Sequence, residues 1–206
     1  MTPKEFIQAC NDGALEILLT EMVNRGFDIP TLEVIKNNIN KSSYDQFAIT
    51  IAKSLNINYK SIKKDDRLSK YIADLSVDIS MQFNAIQSML FTSELNLNWF
   101  RYMGSNLTTT RPFCLAMTEK DYFHQCEIPK LLLGEFPEFQ KNEGVFDEYS
   151  ELPAGLYSNT DESNFRIYRG GYGCGHSISP IAESAVPDEI KSKLYSTEEY
   201  KNWTLK

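Results

Sequence analysis

The sequence predicts an α+β protein: a helical N-terminal half with one long amphipathic helix, followed by a small antiparallel β-sheet domain with short helices. Apolar residues recur at spacings of three and four from Leu68 to Leu90, which is the period of an α-helix. Aromatic and polar residues then alternate over 98–103, as in a strand. A glycine-rich segment, 170–175, lies between two more stretches with the character of strands. These patterns place the helices first and the sheet second.

Composition and charge limit the function classes. The 206 residues are 42% hydrophobic and 24% charged, which is typical of a globular protein. A net charge of -7 does not provide the positive field that non-specific nucleic-acid binding needs, so any DNA contact is expected to be local. No apolar run approaches the roughly 20 residues of a membrane span, and the first residues lack the pattern of a secretory signal. We expect no membrane segment and synthesis in a cytosol.

The first third of the chain predicts short helices. Thr2-Pro3-Lys4-Glu5 is a helix start, with proline suited to the first turn. The apolar stretch from Leu15 to Val23 is followed by Gly26, where helices often end. Further helices are predicted to begin at Ile29 and at Ser42-Ser43.

The strongest periodic signal predicts a continuous helix from about Asp66 to Phe91. Its apolar stripe should bury Leu75, Ile79 and Ile86. The stripe suits an intramolecular core face or an oligomerisation seam, and the general rule for helix stripes favours the core. The opposite side is predicted to face water and carries Lys70, Ser76, Asp78 and Gln87.

The second half predicts a small sheet with loops. Strands are expected at 98–103, 164–168 and 177–181, with loops and short helices over 131–155 and a last helix beginning at Pro187-Asp188. The predicted organisation is a helical region (1–97), a small α+β domain (98–187) and a helical tail (188–206).

An ordered set of motifs in the second half resembles a known family. The motifs are FRYMG, TTTRPFC, the pair Phe123-His124 with Glu127-Ile128, RGGYGCGH and SISPI. Over residues 98–187 this order resembles the C-terminal domain of the phage Mu F-like head-morphogenesis (minor head protein) family. That family typically has Thr-Arg-x-x-Cys and Gly-Gly-x-x-Cys-Arg-His. The matching positions are Thr110, Arg111, Cys114, Gly170, Gly171, Cys174 and His176, and the departure is Gly175, where the family usually has arginine.

The resemblance implies a minor structural protein of a bacteriophage virion, associated with the head interior or portal vertex and with head morphogenesis. It implies portal, major capsid or connector proteins as partners, several copies per particle, and location in the virion after synthesis in the host cytoplasm. It implies no reaction. Thr110, Arg111, Pro112, Gly170 and Gly171 are accordingly interpreted as a structural motif.

Cysteine and histidine residues cluster in these same motifs. Thiolates and imidazoles are the ligands of tetrahedral zinc, so the candidate metal ligands are Cys114, His124, Cys174 and His176. The chain lacks Cys-x-x-Cys pairs, the spacing that indicates zinc most strongly. Two alternatives stay open: packed thiols with His176 bonded to backbone, which is the favoured interpretation, and a Cys114–Cys174 disulfide.

A cysteine-dependent hydrolase or transferase is a further alternative, with a thiol as nucleophile and a histidine as base. Cys174 and His176 are expected to form a dyad only in a bent loop, and no third residue that would orient the histidine is evident. A non-enzymatic role is therefore favoured. The first alternative to a virion role is a metal-binding interaction module, phage-encoded or bacterial, that has no role in the head, and the hydrolase is the second.

Two spatial expectations follow from the motifs. Segments 110–114 and 170–176 should meet, because glycine allows close backbone approach and cysteine prefers burial. Arg111 should pair with a nearby carboxylate, for which the candidates are Glu119, Asp121 and Glu127. Contact of Arg111 with a phosphate or an acidic partner is the alternative.

Overall fold

The computed structural model describes residues 2–39, 41, 43–57, 67–141, 144–146, 152–171 and 173–205. The chain divides into two compact units, Met1–Leu90 and Phe91–Lys206. The division falls a few residues before the predicted boundary at 97/98, in the last turns of the long helix. The predicted tail, 188–206, is part of the second unit.

The first unit is helical, as predicted. Its first helix starts with a capping box, in which Thr2 Oγ1 accepts from Glu5 N–H and the Glu5 carboxylate accepts from Thr2 N–H. The next two begin with side-chain caps from Asp28 and Ser43. The bounds are α1 Pro3–Asn24, α2 Ile29–Asn38 and α3 Tyr44–Ser54. Ser42 lies outside the described residues.

The long helix α4 runs over Arg67–Glu94, close to the prediction, and Asp66 lies outside the described residues. It buries Leu75, Ile79 and Ile86, as predicted. Among all the helices in the described part of the chain, none is long and apolar enough to cross a membrane.

The polar side of α4 corrects one expectation. Ser76 and Asp78, predicted to face water, are buried. Burial of the Asp78 carboxylate is possible because its charge is compensated: Gln82 Nε2 donates to it at 2.9 Å and Arg25 lies at 3.7 Å. The helix thus packs against neighbours around more of its circumference than the apolar stripe indicated.

The second unit contains a three-stranded antiparallel sheet of order β2-β1-β3. Its strands are β1 Trp99–Met103, β2 Tyr122–His124 and β3 Ser177–Ile181. In register, Phe100 pairs with Phe123 on one side and Pro180 on the other. The predicted α+β class is therefore confirmed, with β1 and β3 as expected and β2 not foreseen.

Short helices surround this sheet. They are α5 Pro112–Lys120, α6 Ile128–Leu132, α7 Pro137–Lys141, α8 Phe165–Tyr168, α9 Asp188–Tyr195 and α10 Glu198–Thr204, with 3₁₀ turns at Gln125–Glu127 and Glu183–Ala185. The strand predicted over 164–168 is wrong, because α8 occupies these residues. Asp161 Oδ1 accepts from the backbone N–H groups of Ser163 and Asn164, which turns the chain into a helix locally.

The larger of two buried clusters in the second unit packs on the face of the sheet that carries Phe100 and Tyr102, and a smaller one forms around Trp99 on the other face. Buried aromatic side chains meet in the larger cluster, including Phe100, Tyr102, Phe113, Phe123 and Phe165. Cys114 and Cys174 belong to the same buried cluster, so the thiols of the two motifs lie at the edge of a packed aromatic core.

Candidate metal centre

The two motif segments meet, as predicted. Cys114 Sγ lies 3.8 Å from Cys174 Sγ, and Cys174 Sγ lies 3.8 Å from His176 Nδ1. The ligand atoms of these three buried residues all lie within 4.8 Å of one another. The structure therefore joins three of the four predicted ligands in one cluster, which we call the Cys–Cys–His cluster.

Local structure explains how Cys174 and His176 reach the same cluster. Gly171 and Gly173 have φ of 81° and 67°, in the left-handed region, and Cys174 N–H donates to Gly171 O at 3.1 Å, closing a turn. The left-handed residues precede Cys174, and Gly175, which lies between Cys174 and His176, is not among them. The expectation that Cys174 and His176 meet only in a bent loop is wrong, because side chains two positions apart in an extended chain lie on the same face.

Glycine is required where the cluster packs against backbone. A Cβ on Gly170 would lie 2.9 Å from Cys174 Sγ and closer still to Cys114 Sγ. A Cβ on Gly171 would overlap the carbonyl oxygen of Gly155. The close approach inferred from the glycine-rich sequence therefore has two parts. The backbone at Gly170 lies against the two cysteine sulfurs, and the backbone at Gly171 lies against the backbone at Gly155.

Tyr102 completes the buried side of the cluster, and sequence reasoning did not assign it there. Its hydroxyl lies 3.4 Å from Cys114 Sγ and 3.5 Å from Cys174 Sγ, and its ring stacks on the His176 imidazole at 5.4 Å. Burial, followed by the nearby thiolate charge, raises the pKa of Tyr102 well above its usual value. The phenol therefore stays protonated and can donate to a sulfur. The alternation of inward and outward residues in β1 is the sequence signal that could have placed Tyr102 on the buried face.

The two thiols are electrostatically coupled. The hydrogen bond between them lowers the pKa of Cys174, with His176 and Tyr102 as further partners, and raises the pKa of Cys114. One negative charge is thereby favoured at Cys174, because a thiolate with several donors is stabilised.

A second contact orients the His176 ring. Its Nε2 lies 3.4 Å from Asn106 Oδ1, and Asn106 Nδ2 donates to Thr118 Oγ1 at 3.0 Å. If His176 carries its proton on Nε2 and donates to Asn106, the lone pair of Nδ1 faces Cys174. Metal-binding histidines are typically oriented in this way by a hydrogen bond to the other ring nitrogen.

The cluster geometry fits a metal ion. Two thiolates bound to tetrahedral zinc at about 2.3 Å are separated by about 3.8 Å, and the sulfurs of Cys114 and Cys174 are 3.8 Å apart. Cys114, Cys174 and His176 could therefore hold a metal ion. Both cysteines are free thiols, not a disulfide.

His124, the fourth predicted ligand, lies elsewhere. Its ring Nδ1 accepts from the backbone N–H of Cys126 at 3.2 Å, while the backbone N–H of His124 donates to Glu127 Oε2, so His124 caps the 3₁₀ turn that follows β2. The ring packs edge-on against Trp99 and Trp203. Burial lowers the pKa of His124 to about 4. His124 is therefore a buried capping residue, away from the Cys–Cys–His cluster.

Arg111 also differs from expectation. It precedes α5 as N-cap residue and donates from Nη1 to Gly170 O at 2.6 Å, which joins the two motifs directly. The carboxylates proposed as its partners form other ion pairs: Asp121 with Arg101, Glu127 with Lys120 and Glu119 with Lys141. Thr110 closes the preceding turn by accepting from Leu107 N–H at 2.7 Å.

A pocket of about 390 Å³ opens beside the cluster. Cys114, Cys174 and His176 all line it, together with Ser105, Leu107, Thr109, Thr110, Arg111, Gly173 and Gly175. The cluster therefore has a core side, formed by Tyr102, and a side that faces this pocket.

Comparisons of the chain with models of known protein families, with curated proteins and with solved structures find no match. The resemblance to the phage head family therefore stays a prediction carried by the motifs.

Proposed function

We propose that this chain is a minor structural protein of a bacteriophage virion, located in the head interior or at the portal vertex, with a role in head assembly. The observation that carries the proposal is the contact between its two family-like motifs. Cys114 of the first lies 3.8 Å from Cys174 of the second, and Arg111 of the first donates to Gly170 of the second. Because residues of the two motifs contact each other in the folded chain, they support a fold shared with the family more strongly than two separate sequence matches would.

The departure at Gly175 sets a limit on the proposal. An arginine there would offer a rigid fork of donors to phosphate or carboxylate, and this chain has none at that position while its net charge is -7. We therefore assign the role to contacts with portal, capsid or connector proteins, in several copies per particle, and assign DNA at most a local contact.

We further propose that the Cys–Cys–His cluster binds zinc and thereby stabilises the second unit. A sheet of short strands with many connecting segments gains stability from a metal cross-link, because the free energy of metal binding becomes free energy of folding. The spacing of the two sulfurs supports zinc.

Location is tested in purified particles. Virions of the phage that encodes the chain, isolated on a density gradient, should contain it at a fixed ratio to the major capsid protein by quantitative mass spectrometry. A non-structural protein of the same phage is the control for carry-over. Deletion of the gene should give defective heads. A protein found only in the soluble extract, and absent from particles, would contradict the virion role.

Zinc is tested separately by elemental analysis of protein purified without chelator. We expect one zinc per chain, lost in Cys114→Ser and retained in Cys10→Ser, since Cys10 belongs to the first unit. Metal-free parent protein with intact thiols would favour packed cysteines instead.

A metal-binding interaction module without a head role is the second candidate. The Cys–Cys–His cluster favours it specifically, because a metal site in a small α+β unit does not depend on a particle. Stoichiometric zinc in a protein that never enters virions would support this candidate over the first.

A further inference from the structure

We infer that the Cys–Cys–His cluster is a three-ligand metal site whose fourth coordination position opens into the adjacent pocket and takes a small carboxylate-bearing molecule. This inference rests on the zinc binding proposed above. Structural zinc sites are closed by four protein ligands, whereas sites with three protein ligands keep a position for water or a bound molecule.

The ligand count points to an open site. Among the described residues, the cluster combines Cys114, Cys174 and His176 and includes no further cysteine, histidine or acidic residue. Tyr102 approaches both sulfurs from the core side, at 3.4 and 3.5 Å, where it serves as a hydrogen-bond donor to them. The remaining coordination position lies on the side away from Tyr102.

The pocket gives that position access to solvent. All three ligands line a pocket of about 390 Å³, which lies within the usual range of roughly 300 to 1,000 Å³ for small-molecule sites. No described residue lining it carries a carboxylate. A metal ion in the cluster would accordingly bind water from the pocket, or a molecule that enters it.

The chemistry of the wall selects the class of ligand. Ser105, Thr109 and Thr110 contribute hydroxyl groups and Arg111 contributes a guanidinium, and all of these can donate hydrogen bonds to oxygen. Zinc with two thiolates and a neutral imidazole carries no net charge, so an anionic ligand is favoured by the cationic residue in the wall. A carboxylate oxygen is a good zinc ligand. When it binds, the coordinated water leaves.

Cobalt(II) substitution of the full chain tests the inference, because its visible spectrum reports the metal's ligands. The apo protein is loaded anaerobically with one equivalent of cobalt and titrated with sodium acetate, while sodium perchlorate at equal ionic strength serves as a weakly coordinating control. We expect a saturable shift of the d–d bands with acetate alone. The thiolate-to-cobalt charge-transfer band should persist, which shows that acetate adds to the metal without removing it.

Variants assign the response to the cluster. Cys126→Ser, which removes a thiol outside the cluster, should keep both the spectrum and the acetate shift, whereas Cys174→Ser should lose charge-transfer intensity. A parent spectrum that acetate leaves unchanged would overturn the open position while leaving metal binding intact, since a fourth ligand from the chain would then close the site. Protein that takes up no cobalt would overturn both this inference and the zinc proposal.

Discussion

At Gly171 the backbone leaves no room for a side chain. Its φ is 81°, and a Cβ would overlap the carbonyl oxygen of Gly155. At Gly175, four residues on, a Cβ would meet nothing within 4 Å and φ is outside the left-handed region. Two glycines of one motif therefore have different reasons to be there, and only the first is fixed by packing.

A pair of alanine substitutions measures this difference. Gly171→Ala should reduce the free energy of unfolding by about 2 to 5 kcal/mol, from backbone strain and overpacking together. Gly175→Ala, the matched control, should change it by no more than about 0.5 kcal/mol. Urea unfolding followed by tryptophan fluorescence provides both values. Equal effects of the two substitutions would show that the contact with Gly155 does not constrain this turn.

His124 predicts a pH dependence of stability. Burial holds its pKa at about 4 in the folded protein, below the value of about 6.5 for an unfolded chain. Above pH 6.5 the imidazole is neutral in both states and contributes no pH dependence. As the pH falls from 6.5 toward 4, the unfolded state binds the proton first, so the folded state is progressively destabilised, by on the order of 3 kcal/mol in full.

The test compares the parent with His124→Phe, because other groups also titrate in this range. Cys126 and Glu127 contact His124, and Glu183 raises its pKa slightly. The difference in unfolding free energy between parent and variant should move in favour of the variant as the pH is lowered from 7 to 4.5. A difference that is independent of pH would show that the buried imidazole keeps its ordinary pKa.

The buried part of the apolar stripe of α4 permits a direct test. Ile79 is fully buried, so Ile79→Asp places an unpaired carboxylate in the core and should cost several kcal/mol, about 3 to 5, leaving the protein insoluble or molten. Asn84→Asp adds the same charge at an exposed position of the same helix and should leave the thermal unfolding nearly unchanged. An Ile79→Asp variant that melts with the parent would show that the stripe is not core.

Elements differed in how far the sequence could predict them. The stripe of α4 and the alternation of β1 are repeated over enough residues to specify a period, and both were predicted. β2 and α8 are only three and four residues long, too short for a period to register. α8 depends on hydrogen bonds of Asp161, and β2 on its pairing with β1. Such elements are determined by their neighbours.

The candidate site was also predictable only in part. Cys114, Cys174 and His176 stand in motifs that could be recognised directly. Tyr102 and Asn106 reach the cluster from other segments, through contacts that only the folded chain creates. His124 was predicted as a ligand from its residue type, but its ring nitrogen is used as the cap of a 3₁₀ turn. Residue inventory identifies possible ligands, and the fold selects among them.

For the whole molecule, the division into two units predicts that the proposed metal site is independent of the helical first half. Every residue of the Cys–Cys–His cluster, together with Tyr102 and Asn106, lies within the second unit, Phe91–Lys206. That unit has its own aromatic core, centred on side chains such as Phe113 and Phe123. A domain with its own core can fold alone, so the contacts that position the ligands should survive removal of the first unit.

A fragment comprising residues 91–206 should therefore bind zinc with the stoichiometry of the full chain and within a few-fold of its affinity, measured by competition with a chromophoric chelator. Near-ultraviolet circular dichroism should show ordered aromatic side chains, because Phe113, Tyr102 and Trp99 are buried within this unit. The same fragment carrying Cys174→Ser is the control for non-specific zinc. A fragment with ordered aromatic residues that binds no zinc, beside a full chain that does, would show that the first unit contributes to the site. That result would place the missing ligand or support in the helical half and would contradict a self-contained centre.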